Sequence, residues 1–242
     1  EHFNTILYTG NNTSGGRAFT GVGFATDFVW QRRRSTAASH MLFDKVRGVG
    51  KSLSTEHNNA EASNNVYGYL SSFDADGFTT VAGSNNADIW NGNTRTNVVW
   101  NWKANGSGSS SANLDAGFSI VSYTGTGSNA TVGHGLSSAP DMIIVKRRDG
   151  TGEWEVYHSG NTSEPETEHI RLSGTAATSD NANYWNDTAP TSSVFTVGTD
   201  GYVNASSGTY IAYAFHSVDG YSKMGSYTGN GNADGTFVYT GF

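Results

Sequence analysis

Cysteine is absent from the 242-residue sequence. That excludes disulfides and thiolate metal sites. Proline occurs only 3 times, so sharp turns must rely on Gly and Asn, and Gly alone occurs 31 times. Charged residues make up 14% and hydrophobic residues 36%. Both fall below the roughly 25% and roughly 45–50% usual in globular domains. No apolar run approaches the roughly 18 residues of a membrane-spanning helix, so no membrane insertion is expected. Basic residues are the minority, with 14 Lys and Arg against 21 Asp and Glu, and the net charge is −7. A phosphate backbone binds basic surfaces, so no nucleic-acid partner is expected.

What the chain does have is aromatic side chains, with 6 Trp, 12 Tyr and 12 Phe. A disordered chain of this polarity would lack them. Aromatics among many Gly, Ser, Thr and Asn suit short strands joined by tight turns.

The sequence also repeats itself. Tyr8-Thr9-Gly10 recurs as Tyr123-Thr124-Gly125 and again as Tyr227-Thr228-Gly229. Asp27-Phe28-Val29-Trp30-Gln31-Arg32-Arg33-Arg34 aligns without a gap to Asp141-Met142-Ile143-Ile144-Val145-Lys146-Arg147-Arg148. His40-Met41-Leu42-Phe43-Asp44 aligns to Trp154-Glu155-Val156-Tyr157-His158, and Val98-Val99-Trp100-Asn101-Trp102 to Ile211-Ala212-Tyr213-Ala214-Phe215. In the last pair, Val98, Trp100 and Trp102 share one strand face at period two, as do Ile211, Tyr213 and Phe215, which predicts that this face is the core. Strands are also predicted near residues 118–123, 142–146, 154–157, 194–197 and 237–239. Asp76-Gly77 and Asp200-Gly201 read as hairpin turns. No stretch holds a 3.6-residue apolar period, so the expected fold class is all-β, a tandem of β-sandwich, jelly-roll-like units. The predicted divisions are a first unit at 1–104, a flexible Gly/Ser-rich linker at 105–113, a second unit at 114–222, and the start of a truncated third at 223–242.

The standard catalytic signatures are missing. There is no Gly-x-Ser-x-Gly elbow, no phosphate loop with its Lys, and no His-Glu-x-x-His. No catalytic residue, metal site or cofactor is expected, and the chain reads as a non-enzyme. Asn230-Gly231-Asn232-Ala233-Asp234-Gly235 resembles half a calcium loop, but the twelfth position is Gly241, which has no carboxylate to give. Two kinds of binding candidate stand out. Trp90 with Asn91 and Asn93, and Tyr184 and Trp185 with Asp187, pair aromatic rings with amides and a carboxylate, as sugar sites do. The basic triplets Arg32, Arg33 and Arg34, and Lys146, Arg147 and Arg148, could grip an anionic partner, or serve as solvated strand ends that blunt an exposed edge.

Three stretches carry a family resemblance. They are Phe118-Ser119-Ile120-Val121-Ser122-Tyr123-Thr124-Gly125, Thr131-Val132-Gly133-His134-Gly135-Leu136, and Ala139-Pro140-Asp141-Met142-Ile143-Ile144-Val145-Lys146. They resemble a repeat of tail-fibre-like virion structural proteins of tailed bacteriophages, marine ones especially. The resemblance implies a viral protein located in the virion, a tail fibre or adhesin that contributes to receptor binding and host attachment. It implies self-association, commonly as a homotrimer, contact with other virion proteins, and a host surface glycan as a candidate ligand. The alternatives are a capsid-decorating or filament-forming subunit, or a secreted carbohydrate-binding module.

Overall fold

The computed structural model describes residues 1–13, 15–85, 88–106 and 108–242. The chain is all-β. In order, it forms β1 (Phe3–Thr9), β2 (Arg17–Phe19), β3 (Phe28–Arg33), β4 (Met41–Asp44), β5 (Lys51–Ser54), β6 (Ala62–Ser63), β7 (Tyr69–Asp74), β8 (Gly77–Val81), a short helix α1 (Asp88–Asn91) and β9 (Thr96–Trp102). Then follow β10 (Ser110–Asn113), β11 (Phe118–Thr124), β12 (Ala130–Gly133), β13 (Met142–Arg147), β14 (Trp154–His158), β15 (Glu168–Arg171), β16 (Ser179–Asp180), α2 (Ala182–Trp185), β17 (Val194–Val197), α3 (Gly201–Asn204) and β18 (Thr209–Phe215).

Two large antiparallel sheets dominate. The first runs β1-β9-β3-β4-β5-β6, and the second β10-β11-β18-β13-β14-β15-β16. Beyond its extra strand β10, the second sheet follows the same order as the first. The pairings also agree: Phe28 lies opposite Trp102 and Asp44, and Met142 opposite Phe215 and His158. A small sheet covers the outer face of each large one, β2-β8-β7 over the first and β12-β17 over the second.

Three apolar layers follow. Phe19, Val29, Phe43, Phe78, Trp90 and Val99 pack between the small and large sheets of the first half. Val132, Val145, Trp185, Phe195 and Val203 do so in the second. Between them, the large sheets meet face to face through Phe28, Leu42 and Leu53 of the first half and Phe118, Ile120, Trp154, Ile211 and Tyr213 of the second. Each large sheet therefore has apolar contacts on both faces, which removes the plain in–out alternation expected of a one-sided sheet. The face predicted to be core shows the effect. Val98, Trp100 and Trp102 are only half-buried, whereas Asn97, Val99 and Asn101 on the opposite face of β9 are fully buried beneath the small sheet.

The two halves are also clasped by polar groups. Arg47 is wholly buried and ion-pairs with Asp44, while Tyr213 donates its hydroxyl to the same Asp44 carboxylate at 2.7 Å. Glu61 accepts a two-pronged pair from Arg148 at 3.0 and 3.1 Å. Trp154 Nε1 donates to the carbonyls of Ser54 and His57.

Several sequence expectations need correction. Asp200-Gly201 is not a hairpin turn; Asp200 caps α3, its side chain accepting from Tyr202 N. Asp76-Gly77 does turn a hairpin, closing β7 onto β8 with Gly77 at φ +135°. The stretch read as a flexible linker ends in β10, which pairs with β11, and Asp27 accepts from the backbone N–H of Ala104 and Asn105; Ser107 lies outside the described residues. The strand expected at 237–239 does not form, and residues 223–242 have no regular structure. The strands with the same motif, β1 and β11, each zip onto a later strand, β9 or β18, and among the described residues this segment has no such partner.

Candidate functional site

The pairing registers identify equivalent positions in the two halves. Gln31 faces Met41 as Val145 faces Glu155, and Met41 faces Ser54 as Glu155 faces Arg171. Leu42 faces Leu53 as Val156 faces Ile170, which makes Ser52 the counterpart of His169.

At these matched places the two halves differ. In the second half the Glu155 carboxylate is fully buried; it accepts from His169 Nδ1 at 2.7 Å and Arg171 Nε at 3.1 Å. The His169 ring stacks on Tyr184 at 3.7 Å between centroids, and Arg171 donates to the Tyr184 hydroxyl. Burial, reinforced by the Glu155 charge, pushes the Tyr184 hydroxyl up to about 12. The space above β14 and β15 is therefore filled with paired charge.

In the first half, Met41, Ser52 and Ser54 stand in place of Glu155, His169 and Arg171. These smaller or uncharged side chains leave a cleft of about 440 Å³. Its floor is Gln31, Arg33, Met41, Ser52 and Ser54; its walls are residues 37–39, His57, Asn59, Ala60, Ala62, Asn65, Tyr67 and Ile89. That volume lies within the range of roughly 300–1,000 Å³ typical of small-ligand sites.

The polar groups of the cleft are in different states. Gln31 is held in place, donating from Nε2 to the Ile89 carbonyl and to Asn97. Ser54 donates to Glu56, and the Ser39 hydroxyl lies 3.1 Å from His57 Nε2. Arg33 donates to the Thr36 hydroxyl. The Ser52 hydroxyl is buried and has no hydrogen-bond partner among the described residues. A buried hydroxyl in that state costs about 1–3 kcal/mol. Tyr67 stands at the cleft wall, 47% exposed, with Met41, Ala62 and Ile89 as apolar surface nearby.

The second half holds one wall of this cleft. Asn58 in the 57–62 segment accepts from Lys146 Nζ and from Gly152 N, while its neighbour His57 accepts from Trp154.

The binding candidates named from sequence fall elsewhere. Trp90 and Trp185 are buried, at 1% and 2% exposure, so neither ring face is open to a sugar. Tyr184 is buried in the Glu155 cluster, and Asn91 ties Asn11, Thr13 and Arg17 together. Only Asn93 and Asp187 of that set are exposed. Both tryptophans lie on four-residue helices tucked under the small sheets, too short to give a periodic signal in sequence. The basic triplets do not form shared patches either. Arg33 lines the cleft, Lys146 is fully buried, Arg147 pairs with Asp149, and Arg148 joins the halves, leaving Arg34 exposed and Arg32 half-exposed. Serine, alanine and asparagine line the new cleft, and none of them marks a site by itself. The signal available in sequence was the contrast between aligned units, Met41 against Glu155.

No curated protein and no solved structure matches the chain. One family profile, described as Domain of unknown function (DUF7483), matches residues 1–242, and the chain belongs to that family.

Proposed function

We propose that the chain is a non-enzymatic virion structural protein, a tail fibre or adhesin, that contributes to host attachment by holding a neutral sugar in the cleft of its first half. The observation that carries this reading is the open cleft at the place where the equivalent strands of the other half are filled by Glu155, His169 and Arg171. A sugar ring offers apolar faces and a rim of hydroxyls. Tyr67 supplies a ring for stacking, and Ser39 and Asn59 supply hydrogen-bonding groups. Among the described residues no carboxylate lines the cleft, whereas glycoside cleavage calls for two flanking the bond. Binding without turnover is the chemistry that fits. The virion setting rests on the sequence resemblance and on the acidic, cysteine-free composition.

The test is a glycan array probed with the full chain, followed by calorimetry on the strongest neutral hit. Wild type is expected to bind, and Tyr67→Ala to weaken binding about tenfold, equivalent to about 1.4 kcal/mol. Asn59→Ala is expected to weaken it as well. A chain that binds no glycan, or that binds equally well with both substitutions, would overturn the reading.

A further inference from the structure

β12 runs on past Gly133 into a strap, residues 134–140, that lies over the apolar layer of the second half. Val132, His134 and Leu136 point inward at every second position, so a fully buried imidazole stands in a row with two apolar side chains. Both of its ring nitrogens are engaged. The backbone N–H of Leu136 donates to Nδ1 at 3.1 Å, and Nε2 lies 3.1 Å from the Thr191 carbonyl. A backbone N–H can only donate and a carbonyl can only accept, so Nδ1 is bare and Nε2 carries the proton. Gly135, at φ +72°, turns the chain so that Leu136 N reaches back to Nδ1. The bond to Thr191, with one from His134 N to Ser193 O at 3.2 Å, ties the strap to the segment before β17.

A second ring proton has no acceptor in this arrangement, because it would point Nδ1–H at the N–H of Leu136. Burial holds the ring below the ordinary 6.5; the Thr191 carbonyl works against that, and the neighbouring His216 works with it. β10, β12, β17 and residues 188–193 contain no ionisable side chain, so these elements offer no carboxylate to steady a charged ring. Asp141, which accepts from Ser217 N next to His216, also accepts from the Ser159 hydroxyl. In the first half the chain after β2 is fastened differently. The Asp76 carboxylate accepts from Gly23 N at 2.6 Å and Gly21 N at 3.0 Å, and those bonds hold it below the ordinary 3.8. That fastener keeps its charge wherever a histidine titrates.

We propose that His134 is an acid-released latch: a proton on Nδ1 breaks the bond to Leu136, drives the charged ring into water and lifts the strap 134–140 off the second half, while the first half stays closed. Lifting the strap uncovers Val132, Leu136 and Phe195, which pack together beneath it. The lifted strap carries an ordinary histidine and so binds more protons than the closed one as pH falls below 6.5. Closure therefore has its full strength above that pH and weakens progressively below it.

Amide exchange of the full chain, read as protection factors at about pH 7.5 and about pH 5.5, tests this. At the lower pH, one unit below the free ring's value, residues 132–136 are expected to lose protection roughly tenfold, and residues 20–24 to keep theirs. His134→Gln, whose amide does not titrate, is expected to abolish the loss, and His216→Asn to retain it. Nitrogen-15 spectra of the wild-type ring near pH 7.5 are expected to show Nδ1 bare and Nε2 protonated, a readout that needs no substitution. Equal protection at the two pH values, the same loss in both halves or in His134→Gln, its disappearance in His216→Asn, or a proton on Nδ1 near pH 7.5 would each overturn the proposal. None of these outcomes depends on sugar binding.

Discussion

Tyr8 and Tyr123 explain why Tyr-Thr-Gly recurs. Tyr8 donates its hydroxyl to the Trp90 carbonyl at 2.5 Å, and Tyr123 does the same to the Val203 carbonyl at 2.7 Å. Two residues on, a Cβ at Gly10 would overlap the Gly92 carbonyl oxygen, and one at Gly125 the Ala205 carbonyl oxygen. The motif thus pins the last strand residues against a short helix and the turn after it. Tyr8→Phe or Tyr123→Phe is expected to cost about 1 kcal/mol. Gly10→Ala or Gly125→Ala is expected to cost more, about 2 kcal/mol, because backbone rather than a mobile side chain must yield. Urea denaturation measures both, and equal losses for Phe and Ala variants would contradict the steric account.

Lys146 is the other instructive residue. Burial drives its ammonium down to about 8 from the ordinary 10.5, although its Nζ donates to the carbonyls of Asn58 and Arg147. Between those two values the unfolded chain binds more proton than the folded one, so stability rises with pH across that window. Below about 8 both states carry the proton and the cost of burying the charge is constant. Wild type is therefore expected to gain stability between pH 8 and 9.5, and Lys146→Met to lack that gain. Parallel pH profiles of the two would contradict it.

At the scale of elements, the segment 57–61 carries the argument. It forms one wall of the cleft and is gripped from the second half by Trp154, Lys146 and Arg148. Arg148→Ala leaves Glu61 with Arg47 alone, at 3.3 Å. It is expected to cost about 2 kcal/mol and to speed amide exchange in residues 57–62. Unchanged exchange there would mean the clasp does not hold the wall. The strands themselves were largely legible in sequence. Residues 98–102 and 211–215 do lie in the central strands β9 and β18, because alternating bulky residues fit strands wherever they sit. Which face of β9 would be most buried was not legible. Asn97 and Asn101 look like solvent residues, yet the small sheet buries them, and that depends on contacts far away in sequence. The cleft was hidden for a related reason: Ser52 and Ser54 signify nothing until the register sets them beside His169 and Arg171.

At the scale of the whole molecule, the central layer makes the halves interdependent. Phe28, Leu42 and Leu53 are buried only because Phe118, Trp154 and Tyr213 lie over them. Thermal unfolding is expected to be a single transition with both halves melting together. Residues 1–104 expressed alone are expected to bind a hydrophobic dye or aggregate, since they would expose that face. Two resolved transitions, or a soluble dye-free first half, would contradict the shared core. The central claim is that recognition takes place in the open cleft of the first half. Hydrogen–deuterium exchange of the full chain, with and without its best-binding glycan, tests this most directly. Protection is expected at residues 39, 52–54, 57–62 and 65–67, with none around Glu155 and His169. Protection confined to the second half, or no protection at all, would contradict it.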